Sequence, residues 1–211
     1  MPRRTLTFLA VGDVILGPDP EYYFSPSKAT LKTADVLLGQ LEVPYTIRDA
    51  NCVSQGRDPE VLGALVDSGF DIVSLAGNHL ADAGPAGIED TLAWLDKHNV
   101  AHVGAGVNLE EARRPVILEQ DGVHFGFLDY NCVGPKETWA TAAKPGCAYL
   151  NVITHYELDH ATPGGPPLIY TWAETTTLNG MSEDIRKLRP ICDILIISFH
   201  KGLGHTPIKL A

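Results

Sequence analysis

Residues 71–84 read Asp71-Ile-Val-Ser-Leu-Ala-Gly-Asn-His-Leu-Ala-Asp-Ala-Gly84. The segment Asp71–Leu75 predicts a buried strand, and it closes on Gly77-Asn78-His79. Pro85 then opens a helix, because a first turn has no use for the N–H that proline lacks. Ile88, Leu92 and Leu95 follow at helical spacing. Ala101–Val103 returns as a strand and turns at Gly104-Ala105-Gly106. Strand, helix and strand with short connections form a βαβ unit, so an α/β fold with parallel strands and a right-handed crossover is expected. Asn78 and His79 place two polar side chains where a core would normally end. They are the first candidates for a functional site.

Towards the N-terminus, Thr5–Val11 is a continuous apolar strand ending in Gly12-Asp13. Ala34–Leu38 predicts a second strand that runs into Gly39-Gln40-Leu41-Glu42. Pro59–Ser68 reads as a helix with Val61, Leu62, Leu65 and Val66 on one face and Gly69 as its stop. Towards the C-terminus, Val116–Glu119 and His124–Tyr130 form an antiparallel hairpin through Asp121-Gly122. The stretch from Asn131 to Pro167 is rich in Gly, Pro and Thr and is the least regular part. Ser182–Arg189 reads as a short helix capped by Ser182. Asp193–Ser198 is the most hydrophobic strand and delivers Phe199-His200.

No linker or internal repeat divides the chain, so residues 1–211 are read as a single domain. A parallel strand is normally followed by a helix that covers the sheet, yet Ala211 comes soon after His200. The domain is therefore expected to continue beyond this chain.

Composition narrows the function. The net charge is −10, and the basic pairs Arg3-Arg4 and Arg113-Arg114 make no footprint for nucleic acid. Cys52, Cys132, Cys147 and Cys192 contain no C-x-x-C pair and suit scattered reduced thiols. The apolar run from Leu6 to Leu16 is interrupted by Thr7, Gly12 and Asp13, so it reads as a strand and not as a signal peptide. No stretch is long enough to span a bilayer, and the chain as written is expected to be cytoplasmic.

Four strand ends carry polar groups: Asp13, Glu42, Asn78-His79 and His200. In open α/β sheets the ligand crevice lies beyond the carboxyl ends of the strands. Taken singly, each residue has an ordinary explanation as a turn, a solvated loop or a satisfied histidine. Their coincidence at four strand ends favours a site. An Asp, a Glu, an Asn oxygen and a His nitrogen suit a hard or borderline divalent cation, and the lack of thiolates disfavours structural zinc.

The motifs carry a resemblance. Gly12-Asp13-Val-Ile-Leu16, Gln40-Leu41-Glu42-Val-Pro44, Leu75-Ala-Gly-Asn78-His79-Leu-Ala-Asp82-Ala-Gly84 and Ser198-Phe-His200-Lys-Gly202 stand in that order. They resemble the motifs of the poly-γ-glutamate capsule-synthesis (CapA-type) family. Gly104-Ala-Gly106 with Asn108 and Ala112-Arg113, and Lys144-Pro145-Gly146, match further family segments.

The family is similar to the calcineurin-like metallophosphoesterases. The resemblance implies a four-layer α-β-β-α sandwich with a dinuclear site for divalent Mn, Fe, Zn or Mg. It implies Asp13, Glu42, Asn78 and His200 as ligands, His79 as the general acid or polarising group, and Asp82 as the residue that orients it. It also implies a small-molecule or polyglutamate-type substrate, and relatives that are often exported or membrane-attached. Metallophosphoesterases usually carry a His two residues after the first Asp, where this chain has Ile15. Their later Gly-His-x-x-His type segment is absent from the chain, and His205 is a candidate additional ligand.

Other motifs carry less. His155-Tyr-Glu-Leu-Asp-His160 spaces its histidines five apart, whereas a zinc-binding helix needs them at i and i+4. Gly104-Ala-Gly106 lacks the third glycine of a dinucleotide fingerprint. Two functions remain open: a metal-dependent hydrolase, or a non-catalytic accessory or polymer-binding protein.

Overall fold

The structure, a computed structural model, describes residues 5–202. β1 (Phe8–Val14) leads through two short helices, α1 (Pro20–Phe24) and α2 (Lys28–Leu31), into β2 (Val36–Leu41). α3 (Ala50–Ser54) and a 3-10 turn at Pro59–Leu62 precede α4 (Gly63–Ser68), which Gly69 ends at φ +90°. β3 (Ile72–Ser74), α5 (Gly84–Lys97) and β4 (Ala101–Val103) complete the first half. β1, β2, β3 and β4 pair in that order and are parallel throughout, as the βαβ reading requires.

The second half begins with β5 (Ala105–Gly106) and α6 (Leu109–Ala112). β6 (Val116–Gln120) and β7 (Val123–Asn131) form the expected hairpin, turned by Asp121 and Gly122, both at positive φ. The irregular stretch contains β8 (Gly146–Cys147), which pairs with β5, and β9 (Val152–Glu157), which pairs with β10 (Leu168–Ala173). α7 (Thr175–Leu188) then leads to β11 (Ile194–His200), which lies parallel to β7 in a sheet ordered β11-β7-β6. The protein is thus mixed α/β, with a parallel sheet, a second mixed sheet and helices. No helix among the described residues is long and apolar enough to cross a membrane.

Three local expectations need correction. β2 starts at Val36, not Ala34, because Ala34 N–H is held by Leu31 O at the end of α2. It runs on through Gln40 and Leu41. The last helix begins at Thr175, not Ser182. Glu174 is its cap and accepts from the N–H groups of Thr176 and Thr177, both at 2.8 Å, which pulls its carboxyl down to about 2. Ser182 lies inside that helix and donates back to Leu178 O at 2.8 Å. β1 does not end at Asp13 but continues to Val14 through a bulge.

Period two along the strands divides their side chains between two faces. Leu37, Leu41, Val73 and Leu75 pack with Leu65 of α4 and Ile88, Leu92 and Leu95 of α5. Val36, Leu38, Ile72 and Val103 pack instead against Phe125 and Phe127 of β7, with Phe8, Leu118 and Ile196 beside them. The opposite face of β7, Leu128 and Tyr130, packs with Leu188, Cys192, Met181 and Ile185. Fully burying one such leucine or phenylalanine stabilises by about 1.5–3 kcal/mol, so the seam between the sheets is a principal source of stability.

Candidate metal centre

The seam changes character along its length. On β2 the inward residues run Val36, Leu38, Gln40, and on β3 they run Ile72, Ser74. On β7 Phe125 and Phe127 give way to Asp129, and on β11 Ile196 gives way to Ser198 and His200. The last rung of each strand is therefore polar, and all these rungs lie at one end of the seam.

Asp13 joins them because of the bulge. Val11 is opposite Gly39, but Asp13 is opposite Gln40, so Gly12 is an extra residue in β1. Were Gly12 paired regularly with Gln40, Asp13 would be opposite Leu41, on the face covered by helices, since a one-residue slip exchanges the two faces. Glu42 follows β2, with its N–H on Val14 O at 3.1 Å.

Asp13, Glu42 and His200 offer ligand atoms that all lie within 4.8 Å of one another. His200 Nδ1 is 3.9 Å from Asp13 Oδ1, and its Nε2 is 3.7 Å from Glu42 Oε1. His200 Nε2–H donates to Asn78 Oδ1 at 2.7 Å. The structure thus brings together four residues singled out from the sequence. His79 and Asp82 form a second pair beside them, both half-exposed, with Nδ1 to Oδ2 at 2.8 Å. That contact leaves Nε2 as the ring nitrogen available for proton exchange. His205 lies outside the described residues. The His155–His160 segment sits on β9 and the turn after it, and contributes nothing to this cluster.

Electrostatics at the cluster favour an added positive charge. Burial pushes the Glu42 carboxyl up to about 7, the neighbouring Asp13 charge adds to this, and His79 partly offsets it. Burial also pushes His200 down, more than the Asp13 charge raises it, with His79 adding to the fall. A lowered imidazole stays neutral, which is the form that can ligate a cation.

Glu42 Oε2 and Gln40 Nε2 are buried and have no hydrogen-bond partner. A Cβ on Gly77 would stand 3.0 Å from each of them, so the glycine keeps open the space they border. An orphaned carboxylate oxygen beside three other O/N donors fits a divalent cation by chemistry and by room. Ile15 is an exposed apolar side chain and offers no donor to the cluster.

Two residues were missed in the sequence. Asp129 is 2% exposed, and its Oδ2 accepts from the N–H of Leu75 at 3.0 Å and of Ala76 at 2.7 Å. The only signal was a carboxylate inside the apolar run Phe125–Tyr130. Gln40 accepts from Ser74 Oγ at 2.7 Å and belongs to the polar rung. Strand parity could have found both once the apolar face was assigned.

Fold and cluster together define an α/β protein whose strand ends carry a metal-ligand type set of oxygens and one imidazole. The family model for bacterial capsule synthesis protein PGA_cap matches residues 7–207, and the chain belongs to that family. It is 26% identical over 165 residues to the capsule biosynthesis protein CapA of Bacillus anthracis, covering 71% of this chain and 40% of that protein. It is 27% identical over 152 residues to the PGA biosynthesis protein CapA of Bacillus subtilis, covering 64% and 40%. A Mycobacterium tuberculosis protein named "Probable polyglutamine synthesis accessory protein" is 32% identical over 120 residues, covering 53% and 32%. The chain spans about two-fifths of the length of the Bacillus relatives it matches.

Proposed function

We propose that this chain carries the metal-binding site of a divalent-metal-dependent hydrolase in the capsule and poly-γ-glutamate synthesis family. The observation that carries the reading is the convergence of Asp13, Glu42, Asn78 and His200, with Glu42 Oε2 buried and unpaired. The packing of helices, parallel sheet, second sheet and α7 supports the four-layer sandwich of metallophosphoesterase type.

Asp13, Glu42, Asn78 and His200 would hold a divalent ion, which would supply Lewis acidity for a substrate oxygen and for water. Asp13 and Glu42 are the carboxylates that would face a bound cation. Asp82 fixes the His79 ring through Nδ1, so His79 can deliver a proton from Nε2 to a leaving group. The substrate class is a phosphoester or an amide-type bond of a polyglutamate.

A second reading, a non-catalytic accessory protein that binds polymer, is favoured by one specific observation. Where the resemblance puts a further metallophosphoesterase ligand, this chain has Ile15.

The two separate in one experiment. Mn²⁺ binding is measured by calorimetry, and hydrolysis of phosphodiester, phosphomonoester and γ-glutamyl substrates is assayed with and without His79→Ala. Binding near one ion per chain with His79-dependent turnover supports the hydrolase. Binding without turnover favours the accessory protein, and no binding removes the metal reading altogether.

A further inference from the structure

Asp129 is a carboxylate in a place where an apolar side chain would pack well, since its neighbours on the same face of β7 are Phe125 and Phe127. Burying it is costly, so what it holds matters. β3 ends at Ser74, and the chain then turns towards Asn78 and His79. Just past that strand, Ala76 N–H donates to Asp129 Oδ2, and Leu75 N–H is shared between Asp129 Oδ2 and Val103 O of β4. A residue of the second sheet thus finishes a strand of the first.

Two further elements meet the same residue. Gly104, at φ +92°, passes so close that a Cβ there would lie 2.2 Å from Oδ2. Ser198 is its register partner on β11. Asn78 lies two residues beyond Ala76, and His200 lies two residues beyond Ser198. Their side chains meet at 2.7 Å.

We infer that Asp129 is a positioning residue that sets the spacing between the two halves of the candidate centre. Asp13, Glu42 and Asn78 come from the first sheet, and His200 comes from the second. For its functional meaning the inference rests on the metal-centre reading above. An apolar residue at 129 would fill the volume but leave the Ala76 N–H unpaired and Leu75 N–H with Val103 O alone, and the loop carrying Asn78 would lose its tie to β7.

The test uses Asp129→Ala, Asp129→Asn and, as a control, Phe127→Leu on the same strand and face. Three quantities are read: metal-free amide exchange at Leu75 and Ala76, metal-free imidazole resonances of His200, and Mn²⁺ affinity. In Asp129→Ala the Ala76 amide should exchange about 10–100-fold faster, as loss of its acceptor implies, and Leu75, which keeps Val103 O, should change less. The His200 resonances should move, and Mn²⁺ affinity should fall about 10–100-fold. Asp129→Asn keeps one acceptor oxygen and should fall between this variant and the wild type in all three. Phe127→Leu should leave them unchanged.

Wild-type His200 resonances in both Asp129 variants overturn the inference, as does an equal displacement in Phe127→Leu. Should Asp129→Ala not fold, Asp129→Asn decides by the same readouts. A wild-type chain that binds no Mn²⁺ sinks the metal reading. The two amides and His200 then still decide whether Asp129 sets the spacing.

Discussion

Replacing Gly104 with alanine applies two separable stresses. The residue has φ +92°, and holding a non-glycine backbone there costs about 1–3 kcal/mol. The new Cβ would also stand 2.2 Å from Asp129 Oδ2, 2.8 Å from its Cγ and 2.9 Å from its Cβ. The obstacle is not a flexible tip, because Asp129 is buried and its Oδ2 is fixed by Leu75 and Ala76. Moving the carboxylate leaves at least one buried N–H unpaired, which costs a further 1–3 kcal/mol or so. The sum is about 4 kcal/mol, a large share of the roughly 5–15 kcal/mol by which domains are stable.

Gly122 supplies the control. It sits at φ +79° in the hairpin turn, and a Cβ there meets nothing within 4 Å. Gly122→Ala should therefore cost the conformational part alone, about 1–2 kcal/mol. Urea unfolding followed by circular dichroism gives both values, provided the slopes match the wild type. The extra cost at Gly104 should shrink in an Asp129→Ala background, because Oδ2 and Cγ are gone and only the Cβ contact at 2.9 Å is left. Equal losses for the two glycine variants, or an undiminished cost in that background, would show that contact with Asp129 is not what fixes Gly104.

Burial raises the Asp129 carboxyl from 3.8 to about 7. Between those values the unfolded chain has lost the proton that the folded chain keeps, so this group lowers metal-free stability as pH rises from about 4 to 7. Asp129→Asn should flatten that part of the stability–pH curve measured by urea titration, and an unchanged difference curve would count against it. Arg113 holds Asp184 through two bonds, Nε at 2.8 Å and a terminal guanidinium nitrogen at 2.9 Å, while Tyr130 OH donates to the same carboxylate. Arg113→Lys cannot repeat the fork and should destabilise by about 1–2 kcal/mol after discounting for partial exposure, with thermal unfolding as the check. Gly77→Ala would bring a Cβ to 3.0 Å from Glu42 Oε2 and Gln40 Nε2. It should weaken Mn²⁺ binding by about tenfold or more in calorimetry, and wild-type affinity would refute the cradle.

Much of this was legible because local rules and tertiary packing agree. The βαβ unit around residues 71–103 announces itself through Pro85, the spacing of Ile88, Leu92 and Leu95, and the glycines that follow each strand. The hairpin at Asp121-Gly122 is encoded just as locally, by two residues that tolerate positive φ. The start of α7 was hidden, since three threonines, an asparagine and a glycine obscure its first turns. What starts it is Glu174, whose carboxylate caps two N–H groups. The pairing of β8 with β5 joins segments too short to show any period.

The candidate site divides along the same line. Its residues could be picked out because ligand-type side chains at four strand ends are conspicuous. Their mutual geometry depends on register, which a single strand does not carry. The bulge at Gly12 shows why: Gly-Asp in the sequence reads as a turn, yet here it shifts β1 by one residue against β2 and moves Asp13 from the helix-covered face into the seam. Asp129 shares a strand face with Phe125 and Phe127, but that parity speaks only once the face is known to be the buried one. A carboxylate inside an apolar strand looks like an exposed position until the opposite sheet places Leu75 and Ala76 above it. The polar end of the seam is thus a property of two sheets in register. A substitution that alters that register should disturb the cluster even when every one of its side chains is intact.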